Sequence, residues 1–201
     1  MKLRRMVPVM LGLVFNLSCP AAEAELFGLN DRGYVIVEAE NLPHSGDWEF
    51  VPKGDNKRIM GRGFLRYVGP VTGKGHGQEI DEDGRLQPAE EHWIKIPVQI
   101  DEPGRYRVNI RNHHLKKDGD NDIWVHLMGA PPPIRRVGDH AVESFQWLTW
   151  GTEWVFWDIE KPGVYTFYLA GRSRGFGVDR IAVYNESAPI TMFHRVTPAV
   201  N

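Results

Sequence analysis

Cysteine is almost absent from this chain. The 201 residues include a single cysteine, Cys19, so no disulfide can form within the chain, and the fold must be stabilised by packing or by a bound metal. An excess of positive charge is also missing, because the net charge at pH 7 is −2. Binding to nucleic acid calls for a basic patch that neutralises phosphates. This composition therefore argues against nucleic acid as a partner.

Long apolar runs are missing as well, except for one short stretch near the N-terminus. Three basic residues precede an apolar run at 6–17, and small residues end in Ala-Glu-Ala at 22–24. This pattern is typical of a secretory signal peptide with an A-x-A cleavage site. Pro8 interrupts the run, which is shorter than the roughly 20 residues of a membrane-spanning helix. We expect cleavage after Ala24 and a mature chain, 25–201, that is secreted or periplasmic, spans no membrane and is a monomer.

Cys19 offers an alternative to this cleavage site, since a bacterial lipoprotein carries lipid on such a cysteine. Asn16, however, stands where such a signal usually has leucine. We therefore favour cleavage after Ala24, which also removes the only cysteine.

No stretch of the mature chain has apolar residues at helical spacing over the length of a helix. Short segments rich in β-branched and aromatic residues recur instead, separated by glycine, proline and aspartate. We predict strands at 34–40, 64–68, 93–100, 105–111, 123–128, 154–159, 164–170 and 178–184. We expect the Pro-Gly turns at 103–104 and 162–163 to join neighbouring antiparallel strands. The pattern predicts one all-β domain, a two-sheet antiparallel jelly-roll β-sandwich.

Three segments, read in order, carry a resemblance to a known family. Val-Ile-Val-Glu-Ala-Glu-Asn at 35–41 opens the domain, Trp-Ile-Lys-Ile-Pro-Val at 93–98 leads to Glu-Pro-Gly-Arg-Tyr at 102–106, and Gly-Phe-Gly-Val-Asp-Arg-Ile at 175–181 closes it. The chain resembles the carbohydrate-binding modules of families 6 and 35 from about residue 33 to residue 184. The resemblance implies a galactose-binding-domain-like sandwich that binds a polysaccharide or oligosaccharide without catalysis. The insert at 43–87 is longer than this family pattern leads us to expect.

Two glutamates in an otherwise apolar strand are candidate metal ligands. Glu38 and Glu40 are two residues apart, so both carboxylates should project from the same side of the strand. Neighbouring carboxylates repel unless a cation lies between them, and such oxygen ligands suit Ca²⁺. The resemblance implies a structural Ca²⁺ near the opening and last strands, where Asp179 is the matching residue. In the alternative, the glutamates face solvent and Asp179 pairs with Arg180 or Arg174.

Aromatic residues are plentiful, with 7 tryptophans in the chain. Trp147 and Trp150 precede the strand predicted at 154–159 and show no core periodicity. An indole in a loop can stack on the apolar face of a sugar ring. We predict that Trp147 or Trp150 contacts ligand, with burial in the core as the alternative.

The loop before the last predicted strand is rich in glycine and carries two arginines. The resemblance implies that this loop meets the aromatic loop at one end of the sandwich, with Arg172, Arg174 and Phe176 in the sugar site. Guanidinium groups match a carboxylate or sulfate better than a neutral hydroxyl. We therefore predict an acidic glycan, uronate-containing or sulfated, although the arginines could instead neutralise Asp179 or an acid in a loop.

The loop at 112–122 is the most polar connection between two predicted strands. His113 and His114 are adjacent, so their rings diverge and make a poor metal site. We predict that His113, His114 or Lys116 faces ligand, while some acids of the loop satisfy local backbone amides.

Two other classes of function stay open at this stage. The mature chain has no cysteine, and its one Gly-x-Ser-x-Gly sequence, at 171–175, leads into a predicted strand rather than the helix that a nucleophile elbow needs. A polysaccharide lyase would need His114 or His140 as base and Tyr106 or Tyr67 as acid. A structural or protein-binding domain of the cell envelope would show an exposed apolar patch instead of a polar-rimmed aromatic cleft.

Overall fold

The computed structural model describes residues 25–44, 46–71, 93–116, 119–130, 135–138, 142–148 and 155–189. Within these ranges the chain forms strands arranged in two sheets, together with one 3-10 turn at Ala39–Asn41. The first sheet contains β1 (Phe27–Gly28), β5 (Ile94–Ile100), β7 (Asp122–Leu127), β8 (Arg135–Gly138) and β11 (Gly163–Gly171). The second sheet contains β2 (Tyr34–Glu38), β3 (Trp48–Pro52), β4 (Gly63–Tyr67), β6 (Gly104–His113), β9 (Gln146–Trp147), β10 (Phe156–Ile159) and β12 (Gly177–Asn185).

The two sheets are antiparallel apart from the short β1, which runs parallel to β5. The first sheet has the order β1-β5-β11-β7-β8 and the second β10-β6-β12-β4-β3, with β2 also paired to β12 and β9 to β6. This arrangement confirms the predicted all-β two-sheet sandwich. All eight predicted strands are present with ends shifted by one or two residues, whereas β1, β3, β8 and β9 were not predicted. No helix in the described part of the chain is long and apolar enough to cross a membrane.

Alternating side chains fill the space between the sheets, as the period of a strand requires. The core includes Ile94, Ile96, Ile100, Ile123, Phe167 and Leu169 from the first sheet and Leu65, Tyr106, Ile110, Ile181 and Val183 from the second. In a chain without a disulfide, this continuous buried apolar layer stabilises the fold.

The two Pro-Gly turns do not join paired strands, which corrects the sequence prediction. The turn at 101–103 leads from β5 in the first sheet to β6 in the second, and the turn at 160–162 leads from β10 back to β11. Each turn therefore passes from one sheet to the other, as the corners of a jelly roll do. A turn sequence indicates that the chain reverses, but it does not say whether the next strand pairs with its predecessor or crosses the core.

Candidate functional site

One end of the sandwich gathers the chain segments that carry most of the predicted site residues. Here β6 ends at His113, which lies opposite Gly177 at the start of β12, and Gly177 also pairs with Arg66 of β4. Gly177 lets the neighbouring ring approach closely, since an added Cβ would lie 2.8 Å from Phe64 Cε2 and 3.0 Å from the His113 carbonyl oxygen. The absence of a side chain at 177 thus sets the position of Phe64.

Three rings pack together at this end, and we call Phe64, His113 and Phe145 the aromatic trio. His113 and Phe145 are stacked, with centroids 4.5 Å apart and planes inclined by 21°. Phe64 packs against both, at 5.4 Å from Phe145 and 5.6 Å from His113. Phe64 is buried, whereas His113 and Phe145 are half-buried. Part of the stacked pair is therefore exposed to solvent.

The surroundings of His113 favour its neutral form. Burial lowers the pKa of His113 below its usual range, and the neighbouring His114 lowers that pKa further, although the charges of Asp120 and Glu143 oppose the shift. A neutral imidazole keeps one donor and one acceptor nitrogen for hydrogen bonding.

The loop that follows β6 leaves the side chain of Lys116 exposed. The Asp120 carboxylate accepts hydrogen bonds from the backbone N–H groups of Leu115 and Lys116, at 3.2 and 3.0 Å. His114 Nδ1 donates to the Lys116 carbonyl at 2.6 Å, and its ring is fully buried. The side chain of Lys116 is exposed as a result. The predicted contact between His114 and ligand is therefore wrong, because a fully buried ring cannot reach a glycan in solution. Asp120 is one of the acids that, as expected, satisfy backbone amides of this loop.

The loop before β12 separates its two arginines. Arg172 forms an ion pair with Asp122, which also accepts a hydrogen bond from the Ser173 hydroxyl, and its guanidinium lies 5.5 Å from the Trp124 ring centroid. Arg174 is exposed, and among the described residues it has no ion-pair partner. Arg172 thus neutralises an acid, Asp122, which is the alternative that the sequence left open for the arginines of this loop.

The loop of Arg174 touches the loop of Lys116. Gly175 has a left-handed φ of 103°, and a Cβ there would lie 3.2 Å from the Asp120 Cβ. Because Asp120 also holds the backbone of Lys116, the two exposed cations belong to contacting loops beside the aromatic trio.

Two other predicted contact residues lie elsewhere. Phe176 is fully buried in the core, so the structure corrects its predicted role as a stacking residue. Trp147 is half-buried in β9 opposite Arg111 and packs against the cluster of Ala182, Tyr184 and Ala188 on the outer face of the second sheet, so it does not join Arg172 and Phe176. Trp150 and His140 lie outside the described residues. Phe64 and Phe145 were missed as site residues, although Phe145 belongs to the aromatic-rich segment that ends in Trp147 and Trp150.

The carboxylates of Glu38 and Glu40 lie close together, but the two residues do not belong to one strand as predicted. Glu38 ends β2 and pairs with Arg180, whereas Glu40 lies in the 3-10 turn and accepts the Arg62 N–H at 2.7 Å. Both carboxylates face Gly61, where an added Cβ would overlap Glu40 Oε1. In the described part of the structure, one oxygen of each glutamate, Oε2, is buried without a hydrogen-bond partner. These two oxygens are the unengaged acceptors of the predicted ligand set.

Asp179, the third predicted ligand, has both oxygens engaged. It is the extra residue of a β-bulge between Val178 and Arg180, which turns its side chain toward β6. One oxygen accepts the Met60 N–H at 3.1 Å, and the other forms an ion pair with Arg111. Burial raises the pKa of Asp179 to about 6, against the opposing effects of Arg111 and the Met60 N–H.

The three carboxylates therefore do not form one ligand set in this structure. Within the described ranges, no group of three or more acidic, histidine or cysteine side chains is placed to hold a metal ion. The donors of Glu38 and Glu40 suit calcium, those of Asp179 are taken, and calcium binding stays a prediction.

The described fold can be compared with known structures. No protein-family model and no curated protein matches the sequence. The crystal structure of a GH26-CBM35 β-(1,4)-mannanase from Podospora anserina is similar to this chain with a TM-score of 0.51 and 16% identity, over 79% of this chain and 28% of that enzyme. The chain thus spans little more than a quarter of that enzyme's length.

Two isolated modules give similar matches. A family 35 carbohydrate-binding module from Clostridium thermocellum matches with a TM-score of 0.49 and 14% identity, covering 76% of this chain and 98% of that module. The C-terminal CBM6 of a marine laminarinase from Zobellia galactanivorans matches with a TM-score of 0.44 and 17% identity, covering 76% and 99%. The chain has a two-sheet β-sandwich fold, which it shares with part of the Podospora anserina enzyme. Identities this low establish a shared fold and nothing further.

Proposed function

We propose that this chain is an exported, non-catalytic protein that binds an acidic polysaccharide through the end of the sandwich that carries the aromatic trio, Lys116 and Arg174. The observation that carries the proposal is the half-exposed stack of His113 on Phe145. Two exposed cations lie on contacting loops beside it. Export is proposed from the N-terminal signal pattern.

A stacked ring suits a sugar because one face of a pyranose is made of C–H groups. Aromatic side chains are rigid, so few degrees of freedom are lost when a ring is covered. The trio is held from behind by the buried Phe64, which packs edge-on against Phe145 with an interplanar angle of 72°. A preformed, rigid ring face is the element that a shallow glycan site needs.

The charges favour an acidic glycan over a neutral one. Lys116 and Arg174 are exposed, and within the described part of the chain neither has an ion-pair partner. Arg172, in contrast, is neutralised by Asp122. Cations on a rim attract uronate or sulfate groups, and that attraction is screened over about 8 Å at 0.15 M ionic strength and about 3 Å at 1 M. Affinity for an acidic glycan should therefore fall as salt rises.

Calorimetric titration with acidic and neutral oligosaccharides of equal length tests the proposal. We expect Phe145→Ala to weaken binding by roughly five- to thirtyfold, which corresponds to about 1–2 kcal/mol. We expect the double variant Lys116→Gln, Arg174→Gln to remove the preference for the acidic glycan and the salt dependence. Arg105→Gln is a matched control, since Arg105 is an exposed cation on β6 that already pairs with Asp158.

Three results would overturn the proposal or part of it. Equal binding of neutral and acidic sugars by the wild type would refute the acidic specificity, and unchanged affinity in Phe145→Ala would move the site elsewhere. Absence of binding to any glycan would favour a protein-binding role, for which the exposed Leu115 and Val142 beside the site would be the natural contact.

The geometry gives little support to the lyase alternative. His114 is buried and engaged with the Lys116 carbonyl. Tyr106 donates to the Glu102 carbonyl near the β5–β6 turn, and Tyr67 donates to the Pro70 carbonyl. A general acid and a general base must both lie within reach of one substrate, and Tyr106 lies at the opposite end of β6 from His114. His114 and Tyr106 therefore do not form one catalytic site, whereas His140 lies outside the described residues.

A further inference from the structure

A buried arginine occupies the region where the family resemblance implies a metal. Arg111 lies in β6, is buried, and forms an ion pair with Asp179 at the start of β12. Its second terminal nitrogen donates to the Arg58 carbonyl at 2.9 Å. The Arg111 guanidinium thus connects β6, the neighbouring strand β12 and the loop between β3 and β4.

The oxygens that Arg111 binds are those that a calcium ion would need. Ca²⁺ takes six to eight oxygens, commonly from carboxylates and loop carbonyls. Here the Asp179 carboxylate and the Arg58 carbonyl both accept from Arg111, and the other Asp179 oxygen accepts the Met60 N–H. A guanidinium and a divalent cation repel each other, and here the guanidinium occupies acceptors that calcium would otherwise use.

Charged residues of opposite sign lie next to each other on the neighbouring strands β2, β12 and β6. Arg180 lies opposite Glu38 of β2 on one side and opposite Arg111 of β6 on the other. The bulge places the Asp179 carboxylate beside Arg111, and Arg180 forms an ion pair with Glu38. Arg111 and Arg180 therefore each have a carboxylate partner, and Glu40 accepts the Arg62 backbone N–H. Among the carboxylate oxygens of Glu38, Glu40 and Asp179, the two Oε2 atoms have no hydrogen-bond partner in the described part of the chain, and two are fewer than the six to eight oxygens that calcium takes.

We propose that Arg111 replaces calcium at this position: the guanidinium holds the start of β12 against β6 and the loop of Arg58, and the stability of the native protein does not depend on a divalent cation. Arg111 supplies the positive charge that a bound cation would otherwise bring. Arg111 also lies 5.5 Å from the Phe145 ring centroid, so the same residue supports the rear of the aromatic trio.

Thermal unfolding of the wild type, purified without added metal, gives the first test. We expect no stoichiometric calcium by elemental analysis and the same melting temperature in EDTA and in millimolar CaCl₂. A wild-type protein that carries one calcium per chain, or that melts at a lower temperature in EDTA, would overturn the proposal. This test requires no variant to fold.

Arg111→Met gives the second test, with Arg107→Met on the same strand as its matched control. Arg107 pairs with the exposed Glu186, so its loss should change the melting temperature little. Removing Arg111 leaves Asp179 buried without its counterion, and we expect a decrease of about 6–20 °C. We also expect millimolar CaCl₂ to raise the melting temperature of Arg111→Met, because the freed Asp179 and Arg58 oxygens join those of Glu38 and Glu40. Melting of Arg111→Met at the same temperature as Arg107→Met would contradict the role of Arg111.

Discussion

Gly177→Ala tests whether the backbone at the start of β12 sets the geometry of the aromatic trio. The added methyl group would lie 2.8 and 2.9 Å from two carbons of the Phe64 ring and 3.0 Å from the His113 carbonyl oxygen. The carbonyl is fixed by the sheet, so Phe64 must move, and it packs against both His113 and Phe145. Overpacking of this kind costs about 1–3 kcal/mol. For a domain of this size the melting temperature should fall by about 2–12 °C.

The matched control is Gly163→Ala at the start of β11. A Cβ there would lie 3.5 Å from the Tyr165 ring, which is an ordinary contact, so the melting temperature should stay the same or rise slightly as the unfolded chain loses entropy. Circular dichroism melts and glycan titrations should show that only Gly177→Ala loses both stability and affinity. If Gly177→Ala melts and binds like the wild type, the trio is not positioned by this close approach and the reasoning is refuted.

Three further predictions concern charge. Arg172→Gln should lower stability by about 1–3 kcal/mol, since Asp122 loses its closest charged partner, while glycan affinity stays within twofold, as measured by parallel melts and titrations. The pKa of His113 is lower in the folded than in the unfolded chain, so the unfolded chain takes up the proton first and stability is lost as the pH falls through about 6.5; melts at pH 7.5 and 5.5 should show a smaller loss for His113→Phe than for the wild type. Asp158→Asn should leave the melting temperature unchanged, because its bridge to Arg105 is exposed; a clear decrease would show that this bridge matters.

Sequence periodicity was sufficient for the core of the fold. Alternation of apolar residues predicted β5, β7, β11 and β12, because their inward positions are occupied by large aliphatic and aromatic side chains. Strand β3 was missed since Pro52 ends it and the surrounding segment is rich in turn residues. The pairing of strands could not be read from the turns, because a Pro-Gly corner between sheets has the same local sequence as a hairpin.

The candidate site was predicted in part. His113, Lys116 and Arg174 lie at the predicted end of the sandwich, since their loops directly follow β6 and precede β12. Phe64 gave no signal, because its role depends on the small residue at 177 in a strand distant in sequence. Glu40 was expected in a strand, whereas the 3-10 turn places it near Glu38 by another route.

The most direct test of glycan binding at the aromatic trio is a two-dimensional NMR titration of the wild-type protein with an acidic oligosaccharide. Stacking of a sugar on the trio predicts saturable shifts of the His113 and Phe145 ring resonances, together with the backbone amides of Lys116 and Arg174. The rings of Trp124 and Tyr168, on the outer face of the first sheet, should not shift. Saturable shifts confined to that face, with His113 and Phe145 unchanged, would contradict the account.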